Sequence, residues 1–228
     1  MILSIDLGGT NTKMALVNCD DLRIVAEKQI PTHGHLKPQK ALGLWLEAIQ
    51  DWRQKEKIDL VGIGSPGPLD TKAGCILETP NLKGWAGFGI TKFFEDELGC
   101  KAIIENDANC AAVGEWTINK IDHQVVLTLG TGVGSGVIVD GKLVVGGSGI
   151  ATEAGHMSIN FDGPKCGCGR CGCLEAYVGG RSLLNRYAKA KKISTKGLTP
   201  EMVLTRDDRL AKKLQDEWVT ALAVGIGN

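Results

Sequence analysis

The chain carries no excess of charge of either sign, with 26 lysines and arginines balancing 26 aspartates and glutamates, and its basic residues form no long block. Composition therefore offers no electrostatic footprint for nucleic acid or for an anionic membrane. No stretch is apolar enough to span a bilayer. The opening Met1-Ile2-Leu3-Ser4-Ile5-Asp6 lacks the basic region and long apolar run of a signal peptide. The expectation is a cytoplasmic protein with no nucleic-acid or membrane partner. Low-complexity segments are absent too, and Thr195 to Pro200 reads as a linker at most. What remains is ordinary for a globular protein: 228 residues, 43% hydrophobic and 23% charged, enough for one large domain or two small ones.

Cysteine is not scarce, but its distribution excludes a disulfide framework. Of eight cysteines, four crowd between Cys166 and Cys173 in a chain without an export signal. His156, Cys166, Cys168 and Cys173 form a His-Cys-Cys-Cys set suited to tetrahedral zinc, and Gly167, Gly169 and Gly172 allow the backbone to curl tightly enough for the thiolates to converge. With all four positions filled by protein, the metal is expected to be structural. Cys171 is read as a spare thiol, although it could replace a neighbour as ligand. Cys19, Cys75, Cys100 and Cys110 are scattered singly and read as small apolar side chains.

Residues 2 to 7 are mostly apolar, Gly8-Gly9-Thr10-Asn11-Thr12 supplies turn chemistry, and Lys13 to Val17 is apolar again. This predicts a hairpin with a glycine-rich tip. A second such unit runs from Val125 to Leu129, through Gly130-Thr131-Gly132-Val133-Gly134-Ser135-Gly136, to Val137–Val139, so the chain looks like a loose duplication. Between them Pro38 to Lys57 reads as one helix, with Leu42, Trp45, Leu46, Ile49 and Trp52 at helical spacing. A strand is expected over Ile58 to Ile63, a helix over Ile90 to Leu98, a strand over Lys101 to Glu105, and a helix entered at Asn106-Asp107. Later helices are expected from Leu174 to Lys191 and from about Asp207 to the last residue. A crossover helix feeding a strand implies an α/β sheet. The domain boundary is placed near Asp107, giving lobes 1–107 and 108–228.

Neither glycine loop fits the G-x-x-x-x-G-K-[ST] pattern, which leads straight into a helix, nor the Rossmann fingerprint, since a strand follows each. Both nevertheless have what a phosphate cradle needs. Glycines let backbone N–H groups approach an anion, hydroxyls add donors, and Asp6 at a strand end can hold magnesium through water. The alternative is that these glycines serve only hairpin geometry. Two such loops could clamp the phosphates of one nucleotide from opposite sides, through Asp6, Gly8, Gly9, Thr10, Asn11, Thr12 and Lys13 in the first, and Gly130, Thr131, Gly132, Val133 and Gly134 in the second.

Five stretches carry a resemblance to a known family: Asp6-Leu7-Gly8-Gly9-Thr10, Glu105-Asn106-Asp107-Ala108-Asn109, Leu129-Gly130-Thr131-Gly132-Val133-Gly134, Glu153-Ala154-Gly155-His156-Met157, and Cys166-Gly167-Cys168-Gly169-Arg170 through Gly172-Cys173-Leu174-Glu175. In this order and spacing the chain resembles the ROK family of sugar kinases, which includes glucokinases and kinases of fructose, allose and N-acetylated hexosamines. The resemblance implies the α/β, two-lobed, actin-like (ribonuclease H-like) ATPase fold with a structural zinc loop, commonly in homodimers. It implies ATP, Mg2+ and Zn2+ as cofactors, Asp107 as catalytic base, and Asn81, Asn106, Asp107, Glu153, His156 and Glu175 as binders of sugar hydroxyls. By themselves Asp107 reads as a helix-capping or dipole-favoured acid, Pro80-Asn81-Leu82 equally as an ordinary turn, and Glu153 and Glu175 as surface or first-turn acids.

Asn81-Leu82-Lys83-Gly84-Trp85 looks most like the glucokinase branch, so glucose phosphorylation is the expectation. The alternatives are an N-acetylmannosamine or N-acetylglucosamine kinase, a fructokinase, and a non-catalytic sugar-binding or regulatory relative. Thr152 and Ala154 depart from the family's usual glycine and larger aliphatic residue, which is expected to alter pocket shape. Family members also continue past Gly225-Ile226-Gly227-Asn228, so the second lobe is expected to be incomplete here.

Overall fold

The computed structural model of the chain describes residues 1–77, 82 and 84–228. Its contacts cluster into two compact units: Met1–Cys110 with Val145–Ile150, and Ala111–Val144 with Ala151–Asn228.

In the first unit Ile2–Leu7 (β1) and Asn11–Val17 (β2) form the expected antiparallel hairpin, Leu7 facing Thr12 across the tip. Ile24–Pro31 (β3) lines the outer edge of β2. Pro38–Ala48 (α1) and Gln50–Lys55 (α2) then lead to Leu60–Ser65 (β4), which lies parallel to β1. The single helix expected from Pro38 to Lys57 is thus two, because Ile49 leaves helical geometry (φ −109°, ψ 18°) while keeping its side chain in the core. A small ribbon of Leu69–Asp70 (β5) and Cys75–Ile76 (β6) precedes Ile90–Leu98 (α3) and Lys101–Asn106 (β7). The sheet order is β3-β2-β1-β4-β7.

Strand alternation sends Leu3, Ile5 and Leu7 of β1 and Val61 and Ile63 of β4 into one apolar cluster with Trp45, Trp85 and Phe94. That burial fixes the register. With Asp6 opposite Gly64 and Ser65 opposite Asn106, the carboxyl ends of β1, β4 and β7 share one sheet edge, where open α/β sheets place their ligands.

Asp107–Asn119 (α4) begins directly after β7, and the division between the units falls within it. In the second unit Gln124–Leu129 (β8) and Val133–Val139 (β9) form the second hairpin, and Lys142–Leu143 (β10) extends it. A single 3₁₀ turn, Ala154–His156, opens the cysteine-rich segment. The helix expected over Leu174 to Lys191 is broken at Gly179 (φ −66°, ψ 134°) into Leu174–Val178 (α5) and Gly180–Lys191 (α6). Thr199, expected in a linker, is instead the N-cap of Pro200–Leu204 (α7), its hydroxyl accepting the Met202 N–H at 3.2 Å. Arg209–Gly227 (α8) follows, capped by Asp208.

Leu183, Tyr187, Val203, Ala211 and Leu214 make one core of this unit, and Val133, Leu174, Val178 and Ala221 another. Among the described residues no helix is long and apolar enough to cross a membrane. Of the four scattered cysteines, Cys19 and Cys110 are exposed, Cys75 is half-buried, and Cys100 is half-buried against the first unit's core.

Candidate functional site

The first glycine loop is held from beneath. Gly8 donates its N–H to the Asn11 carbonyl at 3.1 Å, and a Cβ on Gly8 would lie 2.4 Å from that oxygen, so only glycine closes the turn. Thr32 lies just past β3. It is fully buried, donates its hydroxyl to the Gly8 carbonyl at 2.7 Å, and gives its backbone N–H to the Thr10 carbonyl at 2.8 Å. Thr12 is also fully buried, with its hydroxyl 2.9 Å from that of Thr32. Because Thr32 spends its single proton on Gly8, Thr12 is the donor of this pair. The Thr12 hydroxyl therefore points inward and supports the loop rather than lining it, while Gly9, Thr10 and Asn11 are exposed.

At the neighbouring strand end, β7 runs into α4 through Glu105-Asn106-Asp107. Glu105 Oε1 accepts the Asn106 backbone N–H at 2.8 Å and the Asn109 side-chain amide at 3.0 Å. Asn106 Oδ1 takes the N–H groups of Ala108 and Asn109 at 3.0 and 3.2 Å, capping α4. Asp107 Oδ1 accepts the Ala108 N–H at 2.8 Å. Its carboxyl keeps a solvent-facing edge, yet the protein atoms crowded around it, and secondarily the Asp6 carboxylate, raise its pKa above the ordinary aspartate value. The same crowding, with Glu105, Asp107 and Asp6 nearby, pushes the Cys110 thiol up to about 11, which leaves it protonated and a poor nucleophile at neutral pH. Asn81 lies outside the described residues.

In the second unit His156, Cys166, Cys168 and Cys173 bring one ligand atom each to within 4.8 Å of all the others. His156 Nδ1 is 3.7 Å from Cys166 Sγ, and Cys168 Sγ is 3.6 Å from Cys173 Sγ. Metal–ligand bonds of about 2.1 to 2.3 Å in a tetrahedron give edges of roughly 3.6 to 3.8 Å, so this donor set fits one tetrahedral ion such as zinc. The backbone N–H of Arg170 lowers the Cys168 thiol to about 6, whereas burial raises Cys166 and Cys173, making Cys168 the first to ionise. The other imidazole nitrogen, Nε2, is 3.9 Å from Glu153 Oε2, so the ring faces the cluster on one side and Glu153 on the other.

The second glycine loop is packed against this cluster's own elements. Glu175 Oε2 accepts the Val133 N–H at 3.0 Å. Gly180 and Arg181, at the start of α6, donate to the carbonyls of Gly130 and Thr131 at 2.9 and 3.0 Å. Ser135, buried on β9, stands 3.1 Å from the Thr152 hydroxyl and accepts the Ala154 N–H at 2.9 Å. The two departures noted in the sequence thus sit on one serine, which fixes the backbone on either side of Glu153. Val133, expected to offer its N–H to phosphate, gives it to Glu175 here.

A family model described as ROK family matches residues 2–228. The chain belongs to the ROK family. Its fold is the ROK kinase fold of the actin-like ATPases. Among ROK relatives, a glucokinase of Thermotoga maritima is 35% identical over 191 residues, 82% of this chain and 60% of that protein. An N-acetylmannosamine kinase of Citrobacter koseri is 37% identical over 186 residues, 79% of this chain and 62% of that protein. The crystal structure of a ROK glucokinase from Streptomyces griseus with glucose and AMPPNP superposes with a TM-score of 0.79 at 28% identity, covering 99% of this chain and 77% of that one. The chain spans about 60% of the length of the two curated ROK relatives.

Within the first unit the ROK fold gathers Asp6, Asn106 and Asp107 at one sheet edge, and within the second it gathers Glu153, His156 and Glu175 around the metal cluster. Sequence reasoning passed over Thr32, Glu105, Asn109 and Ser135. Thr32 carried no local signal, since its partners lie about twenty residues away in sequence. Glu105 and Asn109 stood inside a quoted motif, but one ends β7 and the other lies in α4, so their contact depends on the turn from strand to helix.

Proposed function

We propose that this polypeptide carries the machinery of an ATP-dependent hexose kinase, with glucose as acceptor and glucose 6-phosphate as product. The observation that carries the reading is Asp107, a carboxylate at the carboxyl end of a parallel strand with a raised pKa, beside Asp6 and a glycine loop whose exposed tip is anchored from below. A base of this kind is poised to take a proton from a sugar hydroxyl.

In this reading the hydroxyl oxygen forms a bond to the γ-phosphorus as the bond from that phosphorus to the bridging oxygen breaks. ADP leaves, and the hydroxyl proton passes to Asp107. Asn106, held by its bonds to the α4 amides, and Glu153, His156 and Glu175 bind the other sugar hydroxyls, together with Asn81. The backbone N–H groups of the two glycine loops cradle the phosphates. Magnesium, when bound with ATP, neutralises phosphate charge, and Asp6 is the residue that would hold it through water. Zinc at His156, Cys166, Cys168 and Cys173 is structural, since no ligand position is left open for substrate.

Glucose is preferred over N-acetylmannosamine because the 81–85 stretch resembles the glucokinase branch; the relatives include both kinds of kinase. The test is ADP release with magnesium and ATP across glucose, mannose, fructose, N-acetylglucosamine and N-acetylmannosamine. Turnover greatest on glucose supports the reading, turnover greatest on an N-acetylhexosamine replaces the substrate, and silence on every sugar, when glucose and nucleotide both bind, refutes the kinase.

A further inference from the structure

Three segments that issue from the metal cluster touch the second glycine loop, whose Val133 also shares a core with Ala221 of α8. The 3₁₀ turn that presents His156 lies against β9 through Gly155, where a Cβ would come within 2.1 Å of the Val133 carbonyl oxygen. Glu175 reaches the loop from the cluster's other side: Oε1 is 3.5 Å from Cys166 Sγ and Oε2 accepts the Val133 N–H. Gly132 leaves room for that carboxylate, since a Cβ there would meet Oε2 at 2.4 Å. Third, Cys173 is the N-cap of α5, the helix that carries Glu175 and leads through Gly179 into α6. The first N–H groups of α6 then hold the carbonyls of Gly130 and Thr131, and a Cβ on Gly180 would stand 2.8 Å from the Gly130 oxygen.

We propose that the metal cluster sets the conformation of the loop Gly130–Gly134, with Glu175 as the positioning residue that links the two. Drawing His156, Cys166 and Cys173 onto one ion fixes the 3₁₀ turn, the Glu175 side chain and the start of α5 together. The loop, gripped by all three, takes the shape they dictate. Ionic closure of the cluster is then felt at the nucleotide phosphates rather than only at the sugar. This last consequence rests on the reading that Gly130–Gly134 receives phosphate; the link between cluster and loop does not.

Hydrogen–deuterium exchange on the whole zinc-loaded chain separates the two. Peptides covering 130–135 are compared before and after zinc is removed with a strong chelator, with peptides from the Leu183–Tyr187 and Ala211–Leu214 core as the control for folding. The loop amides should exchange about 3- to 10-fold faster once the grip is lost, as expected for the loss of one or two hydrogen bonds, while the control peptides hold. Glu175→Ala, with zinc content confirmed by elemental analysis, should loosen the Val133 amide by a similar factor without losing the metal. Glu175→Gln, which keeps an oxygen acceptor, should restore much of the protection.

A loop that stays protected while residues 156–173 loosen would overturn the proposal, as would failure of the chain to take up zinc. Should chelation unfold the whole unit, the Glu175→Ala protein alone decides, unchanged protection at Val133 counting against the link. AMPPNP titrated without sugar supplies the second readout. Loosened exchange with unaltered AMPPNP affinity would leave the link standing and remove the phosphate role of the loop.

Discussion

The hydroxyl of Thr32 donates to the carbonyl of Gly8 at 2.7 Å, and the hydroxyl of Thr12 donates in turn to Thr32 at 2.9 Å. Two buried side chains thereby hold the floor of the first glycine loop. Thr32→Val keeps the shape but leaves the Gly8 carbonyl and the Thr12 hydroxyl without this partner. A buried polar group stripped of its partner costs about 1 to 3 kcal/mol. The variant should lose that much in urea unfolding and bind AMPPNP more weakly, while its sugar binding by calorimetry stays close to the parent's.

Asp107 gives a kinetic prediction. Asp107→Asn preserves size and the hydrogen bond to Ala108 but cannot take a proton, so turnover should fall by roughly 10²- to 10⁴-fold with sugar binding largely retained. Because the base form is the active one, kcat/KM should fall as pH drops through the Asp107 pKa. That pKa is raised by crowding and by Asp6, so the acid limb should lie above the ordinary aspartate range. Asp6→Asn removes the second of these causes and should move the limb to lower pH; equal turnover in Asp107→Asn would remove Asp107 from the role of base.

Two glycines of the cysteine loop provide an internal control. Gly172 has φ +69°, and a Cβ there would lie 1.5 Å from the Asn160 carbonyl oxygen, whereas a Cβ on Gly167 meets nothing within 4 Å. Gly172→Ala should therefore displace the backbone just before Cys173 and weaken zinc retention against a competing chelator, while Gly167→Ala retains zinc like the parent. Equal retention by the two variants would show that the backbone path through Gly172 does not matter to the cluster.

Asp208 ties the helical part of the second unit together. It accepts the Tyr187 hydroxyl at 2.6 Å, the N–H groups of Leu210 and Ala211 at 3.0 and 3.1 Å, and pairs with Lys191 at 3.1 Å. These bonds, the Tyr187 hydroxyl foremost, hold its carboxyl well below the usual carboxylate range. A folded pKa below the unfolded one means that the unfolded chain binds more protons in between. The stabilisation is fully present above the unfolded value of about 3.9 and is lost as pH falls toward the folded value. Asp208→Asn should lower the urea midpoint at neutral pH and flatten its dependence on pH below about 4; an unchanged acid slope would mean that other carboxylates govern it.

The elements that pack by a regular apolar period were legible. β1, β2, β7 and β9 stand where their patterns put them, because burying one face leaves only one register, while β8, with no buried residue, was legible from its apolar run against the glycine loop and α3 from its helical spacing. β3 was missed because it is an edge strand whose residues are all exposed or half-buried, so no apolar alternation marks it. The long helices were overrun at Ile49 and Gly179, where the apolar spacing continues through a backbone break. α7 was passed over although Thr199-Pro200-Glu201 is a helix-start signal that could have been read.

The sequence by itself determined which chemical groups are present and how closely they follow one another. The His-Cys-Cys-Cys set and the two glycine loops could be named from the residues themselves, whereas the acid at the mouth of α4 was singled out only by the resemblance to the ROK family. Only the tertiary structure decided what each group does with its protons and lone pairs. The Thr12 hydroxyl turns to Thr32, twenty residues away, and Val133 gives its N–H to Glu175 from 42 residues away. Such partners meet through sheet register and helix packing, which arise from burial summed over a whole unit, and no local pattern of residues records them.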